Sequence, residues 1–133
     1  MTTIPASHLD LLEQPTGVFA TIDPQSRPQL TVMGFMLDDD GVVKLSFPST
    51  RAKTKNLRAR PQCSLLIRDP LDGYRYLELR ADATLRPDDD YVFADEIARR
   101  RYGGVDLRQI DGPGATRVVA ELDLVRVNAV QVR

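Results

Sequence analysis

Residues 49–60 read STRAKTKNLRAR and hold Arg51, Lys53, Lys55, Arg58 and Arg60. The run predicts a helix from about Thr50 to Arg58, capped by Ser49 or Thr50. Arg51 and Lys53 then fall in its first turn. Cations there oppose the helix dipole, at about 0.3–1 kcal/mol each. The same turn offers backbone N–H groups with no intrahelical acceptor. Free donors, hydroxyls and two cations make an anion site, with phosphate the usual occupant. Lys55 and Arg58 extend the positive field toward a longer anionic tail. A solvated, charged helix face fits these residues equally well on spacing alone.

Two strands offer groups that suit a flat polar ring. Gln29 and Thr31 sit two residues apart, on one face of a strand, and both hydrogen-bond. Tyr74 and Tyr76 share a strand face in the same way and supply flat area with a polar tip. Taken singly, each pair also fits an ordinary barrel surface.

Other chemistry is poorly supplied. The chain has one histidine, His8, and one cysteine, Cys63. That is too few soft ligands for a common zinc site, so no metal is expected. No GxSxG motif precedes a helix, and no Ser–His–Asp set is evident. No catalytic residue is assigned. His8 reads as a surface histidine. Cys63 opens an apolar run and reads as a small buried hydrophobe. The two DDD runs, 38–40 and 88–90, lack calcium-loop spacing and read as turn and helix-start chemistry.

These residues need strands to position them. A short opening helix follows Pro5, with Ser7 as its cap and Leu9, Leu11 and Leu12 apolar. Strands are expected at 16–22, 29–37, 42–47, 63–69, 74–86 and 116–132, separated by Pro-, Asp- and Gly-rich turns. The last has an irregularity near Leu124 and Val125. A helix over 87–103 carries Asp88 as N-cap and arginines in its last turn. Residues 104–115 read as a loop. Six strands joined mostly as hairpins argue for an antiparallel β-barrel with helical insertions, not a parallel Rossmann sheet.

The bulk numbers set limits. The 133 residues fit one domain, 1–133, large enough to need no disulfide or metal staple. With 18 basic and 19 acidic residues the net charge is −1, which argues against general adhesion to nucleic acid. No apolar run is long enough for a membrane span, and no signal peptide is evident. One cysteine suits a reducing, cytoplasmic setting.

Three stretches, GVFATIDPQSRPQLTVMGF, VKLSFPSTRAKTKNLRARPQCSLLI and DGYRYLELRADATL, together resemble the pyridoxamine-5′-phosphate-oxidase-like split-barrel family. Within it the resemblance is to the actinobacterial branch that uses the deazaflavin coenzyme F420. It implies a mainly β fold, a six-stranded antiparallel split β-barrel with a few short helices. It also implies a homodimer with cofactor sites at the interface and a hydride-transferring oxidoreductase. The acceptor class would be a quinone, tetrapyrrole or other enone.

By resemblance, the segment from Ser46 to Asn56 holds the cofactor phosphate. Arg51 and Lys53 bind it, Ala52 and Thr54 contribute backbone or hydroxyl groups, and Asn56 lies nearby. Gln29 and Thr31 line the ring, while Tyr74 and Tyr76 reach the site from the partner subunit. Lys55 and Arg58 meet the glutamate tail. Val32 stands where some relatives have asparagine, and the 73–77 strand has no tryptophan. The alternatives are an FMN-dependent oxidoreductase of the same fold or a non-catalytic cofactor-binding protein.

Overall fold

The structure, a computed structural model, describes residues 1–132. Strands β1 (Gly17–Ile22), β2 (Pro28–Met33), β3 (Met36–Leu37) and β4 (Val43–Pro48) lead into helix α1 (Ala52–Ala59). Strands β5 (Gln62–Arg68) and β6 (Arg75–Pro87) follow, then α2 (Val92–Arg101), α3 (Leu107–Asp111) and β7 (Arg117–Gln131). All strand pairs are antiparallel, in the order β2-β1-β5-β6-β7-β4-β3. The two edge strands, β2 and β3, are separated in the chain only by Gly34 and Phe35. The sheet therefore curls round until its edges meet.

There are seven strands among the described residues, not six. The expected strand 29–37 breaks at Gly34, where the chain leaves β1 and turns to pair with β4. Glycine lets the Tyr102 ring pack closely at the corner. A Cβ on Gly34 would lie 2.4 Å from the Tyr102 hydroxyl and 2.8 Å from its ring.

Alternation builds the core. Phe19 of β1, Leu65 and Ile67 of β5, and Leu77 and Leu79 of β6 point inward and are fully buried. β4 is buried along nearly its whole length, and Phe47 meets Phe19 with ring centroids 6.3 Å apart. In β7, Val118, Ala120 and Leu122 face inward, yet so does Val127. The switch of parity is a bulge. Arg80 pairs with Arg126 and Ala81 with Leu124, leaving Val125 as the extra residue. This is the irregularity expected near Leu124 and Val125.

Several local expectations change. The opening helix is a 3₁₀ segment, Ala6–Glu13, with Pro5 and not Ser7 at its N-cap. His8 is buried, and its Nε2 lies 3.0 Å from the Val130 carbonyl oxygen, tying this segment to β7. The long helix starts at Val92 because residues 88–90 form a turn, closed by Tyr91 N–H donating to the Asp88 carbonyl at 3.0 Å. Tyr91 takes a left-handed conformation there (φ 59°). Asp88 still caps the helix from a distance: its carboxylate accepts from Phe93 N–H at 3.2 Å and Ala94 N–H at 2.9 Å. The other acidic run grips a lysine, with Asp38 and Asp40 at 2.9 and 2.8 Å from Lys44 Nζ. No helix among the described residues is long and apolar enough to cross a membrane.

Candidate functional site

The β4–β7 pairing sets Arg117 opposite Pro48, one turn of chain before α1 begins. That register brings residues of six elements to one cleft of about 660 Å³. β2 provides Thr31 and Met33, β4 provides Ser46 and Pro48, and the start of α1 provides Arg51 and Lys53. The opposite wall is Tyr102, Val105, Leu107 and Ile110, from the C-cap of α2, the connection after it and α3. Arg117 completes the lining.

Four of the residues singled out in the sequence, Thr31, Ser46, Arg51 and Lys53, therefore share this cleft. The helix cap differs from expectation. Arg51 itself is the N-cap, in an extended conformation and with no side-chain cap bond. Ser49 is turned away, its Oγ donating to the Thr116 carbonyl at 3.0 Å. The Arg51 carbonyl accepts from Thr54 and Lys55, and Arg51 N–H is bonded to Pro48. The N–H groups of Ala52 and Lys53 precede the first helical donor, Thr54, and are left for another partner.

Lys53 is half-buried, its ammonium 5.5 Å from the centre of the Phe47 ring. Burial, with the positive charges of Arg51 and Arg117, pulls its pKa below the usual lysine value. Among the described residues neither Arg51 nor Lys53 is in a side-chain ion pair. Two cations are thus held together without a carboxylate of their own.

The remaining predicted residues support the cleft or lie elsewhere. Asn56 is buried; its Nδ2 donates to Gln29 Oε1 and to Thr21 Oγ1, each at 3.0 Å. Both donors of its amide are committed, and they pin α1 to β1 and β2. Thr54 is buried, its hydroxyl donating to the Pro48 carbonyl at 3.0 Å. Tyr76 is on the outward face of β6 with Glu78 and Arg80, and Tyr74, just before that strand, is exposed. Neither lines the cleft of its own chain. Lys55 and Arg58 are exposed along α1.

Three lining features were not singled out in the sequence. Arg117 is 93% removed from solvent by its relative exposure of 7%. Its Nε and Nη2 fork onto Asp111 at 2.6 and 3.0 Å, and Nη1 donates to Ser46 Oγ at 3.2 Å. Asp111 also accepts from the Tyr91 hydroxyl at 2.8 Å. The Arg117 guanidinium holds the Asp111 carboxyl below the ordinary carboxylate range. Tyr102 packs over Gly34, and burial raises its phenol above the ordinary value. The third feature is α3 itself, within residues read as loop.

The arrangement has the chemistry for an anion at its cationic end and for an apolar, flat body along Tyr102, Met33 and the α3 side chains. Its described residues offer no His or Cys nucleophile, since Cys63 lies in the core.

Comparison with known proteins bears on the fold and the family. One solved structure, an F420 reductase, is 29% identical, with 94% of this chain and 98% of that chain covered and a TM-score of 0.81. A conserved hypothetical protein from Mycobacterium tuberculosis is 22% identical over 99% of this chain and 88% of its own, with a TM-score of 0.78. General Stress Protein 26 from Bacillus anthracis is 20% identical over 92% and 94%, with a TM-score of 0.65. The last two show likeness of fold alone. Residues 5–132 match the family described as pyridoxamine 5′-phosphate oxidase. With nearly the whole chain matched and the curled antiparallel sheet in place, this protein belongs to the pyridoxamine 5′-phosphate oxidase family.

Proposed function

We propose that the protein is an oxidoreductase that uses the deazaflavin coenzyme F420 to reduce a small conjugated acceptor, a quinone, tetrapyrrole or other enone. The observation that carries this reading is the cleft where Arg51 and Lys53, unpaired with any carboxylate, meet two free backbone N–H groups beside an apolar wall. Its likeness to an F420 reductase supports the choice of cofactor. The donor set fits a phosphate-bearing cofactor: two cations and helix-start N–H groups at one end, Thr31 and Met33 further along β2.

In this reading Arg51, Lys53 and the Ala52 N–H hold the phosphate. Ser46 and Thr31 offer hydroxyls along the cleft, and Gln29 and Asn56 fix the strand and helix that carry them. Thr54 locks the turn before α1. Lys55 and Arg58 face the anionic tail. The cofactor, when bound, supplies the hydride. Tyr102, Met33, Leu107 and Ile110 exclude water from the acceptor's side of the cleft.

We infer a homodimer, with residues 1–133 acting as one cofactor-binding domain. Cross-strand neighbours Val32, Val18 and Leu66 form an outward row, and Leu30 lies beside it. Leu30 and Val32 are 65% and 70% exposed. An apolar strip of this kind suits burial against a second copy. Tyr74 and Tyr76, which lie outside the cleft of their own chain, would then reach the partner's site.

Titrating the purified protein with F420, followed by its absorbance and fluorescence, tests the cofactor. Saturable binding and turnover of the reduced form with quinones or enones are expected. Tight binding of FMN with none of F420 would replace this reading with an FMN oxidoreductase. Binding of F420 without turnover of any acceptor in the panel would make the protein a carrier.

A further inference from the structure

We propose that Arg117 is a third anion-binding side chain of the cleft, and that Asp111 positions it. The proposal rests on the cofactor-site reading above. A guanidinium has five N–H groups. Two of those on Arg117 bond Asp111 and one bonds Ser46, which leaves one on each Nη for a ligand. The side chain lines the same cleft as Arg51 and Lys53.

Charge separates this role from simple support of the fold. A structural Arg–Asp pair is neutral and self-contained. Here Arg51, Lys53 and Arg117 line one cleft and Asp111 pairs with Arg117 alone, so the cluster keeps about two positive charges for a ligand. Arg117 and Arg51 already act on one another's surroundings: the first depresses the Lys53 ammonium, and the second adds to the pull on Asp111.

Position follows from Asp111. Its two oxygens take the side-on edge of the guanidinium, while the Tyr91 hydroxyl fixes Oδ2 from behind. The planar fork can therefore present only its remaining edge. Asp111 closes α3, the helix whose Leu107 and Ile110 wall the cleft. Seating of α3 and aim of Arg117 are thereby one arrangement.

The test is calorimetric titration of the full chain with inorganic pyrophosphate, and separately with F420. Two Arg117 variants are used: Arg117→Lys, which keeps charge but loses the fork, and Asp111→Asn/Arg117→Gln, which removes both charges of the pair. Circular dichroism and thermal midpoints check their folding. Each folded variant is expected to bind pyrophosphate about tenfold or more weakly, the loss of one charge-assisted bond. The double variant leaves the site's net charge unchanged, so its salt dependence should match that of the wild type. Asp111→Asn alone separates positioning from bulk charge. It raises the site's net charge by one, so simple attraction would tighten binding, whereas loss of aim weakens it; weakening is expected.

Wild-type affinity in both Arg117 variants, beside weakened binding in Lys53→Ala, overturns the role of Arg117 and leaves the cofactor reading standing. Tighter binding by Asp111→Asn overturns the positioning role. A wild-type protein that binds pyrophosphate, F420 and FMN not at all overturns both readings together.

Discussion

Asn56 and Gln29 are joined side chain to side chain, Nδ2 to Oε1 at 3.0 Å, across the gap between α1 and β2. The same amide donates to Thr21 Oγ1, inside β1. A single residue of the helix thus fixes the cationic turn against two strands. The polar group is satisfied on both donors while nearly fully buried. Removal would leave the Thr21 hydroxyl without that partner inside the core.

Asn56→Ala is therefore expected to destabilise the fold by about 1–3 kcal/mol, the cost of stranding a buried polar group. Urea unfolding measures it. Asn56→Asp should be at least as costly, because an acceptor-only side chain cannot donate to either oxygen. A midpoint unchanged in both variants would show that α1 is held by Leu57 packing and not by this amide.

Lys53→Ala tests the other end of the helix. Cofactor binding should weaken by at least about 1.5 kcal/mol, the low end for a bond to a charged group. Stability should change little, since Lys53 is only half-buried and its one described partner is the Phe47 ring. An unaltered dissociation constant would remove Lys53 from the anion site.

What the sequence disclosed, and what it hid, follows chain distance. Arg51 and Lys53 were legible because a helix start and its cations are local in sequence. The strands were legible from alternation, and so was the bulge near Val125. The break at Gly34 was not, because it is set by a switch of partner from β1 to β4, and the Tyr102 ring that packs on Gly34 lies far along the chain. Arg117 was hidden for the same reason. A lone arginine before VVAEL has no meaning until β4–β7 register sets it beside Pro48. The five residues of α3 were masked by the glycines and proline around them. The Ser49 cap failed on competition, its hydroxyl having a partner in Thr116, whereas Asp88 does cap its helix but from across a turn.

Asp111 gives a pH dependence with a definite sign. Its carboxyl is held below its ordinary value of 3.8, first by the Arg117 hydrogen bonds. The charged form is the one bonded in the fold, so its stabilisation is complete above 3.8 and is lost as pH falls through the lower, folded value. Other acidic pairs titrate nearby, so the comparison must be a difference. The stability gap between wild type and Asp111→Asn/Arg117→Gln should be constant from pH 5 to 8 and change only below about 4. A gap that varies near neutrality would place the coupled group elsewhere.

Cys63 should be chemically silent. Burial pushes its thiol up to about 12, and its Sγ lies 3.6 Å from the Ala81 carbonyl oxygen. The thiolate is the reactive form. At pH 8 the native protein is expected to react with a disulfide reagent only at the rate of its unfolding, and denaturant should release one thiol per chain. Fast stoichiometric labelling of the native state would show that the strand opens locally.

The apolar row on β2 tests the assembly. Leu30 and Val32 alternate with Gln29 and Thr31, so the strand shows one face to the interior and the other to solvent. An edge strand with exposed, uncharged β-branched and aliphatic side chains invites association unless it is covered. Val32→Asp adds a charge at the edge-strand end of the row, beside Val18, whose other neighbour is Leu66. In a two-fold interface the substitution appears twice, so two carboxylates would be buried without partners. Sedimentation velocity should then show a dimer for wild type and a monomer for the variant, with the circular dichroism unchanged. F420 binding should weaken in the same variant if Tyr74 and Tyr76 of the second copy complete the site. A monomeric wild type would remove the dimer, and those two tyrosines with it.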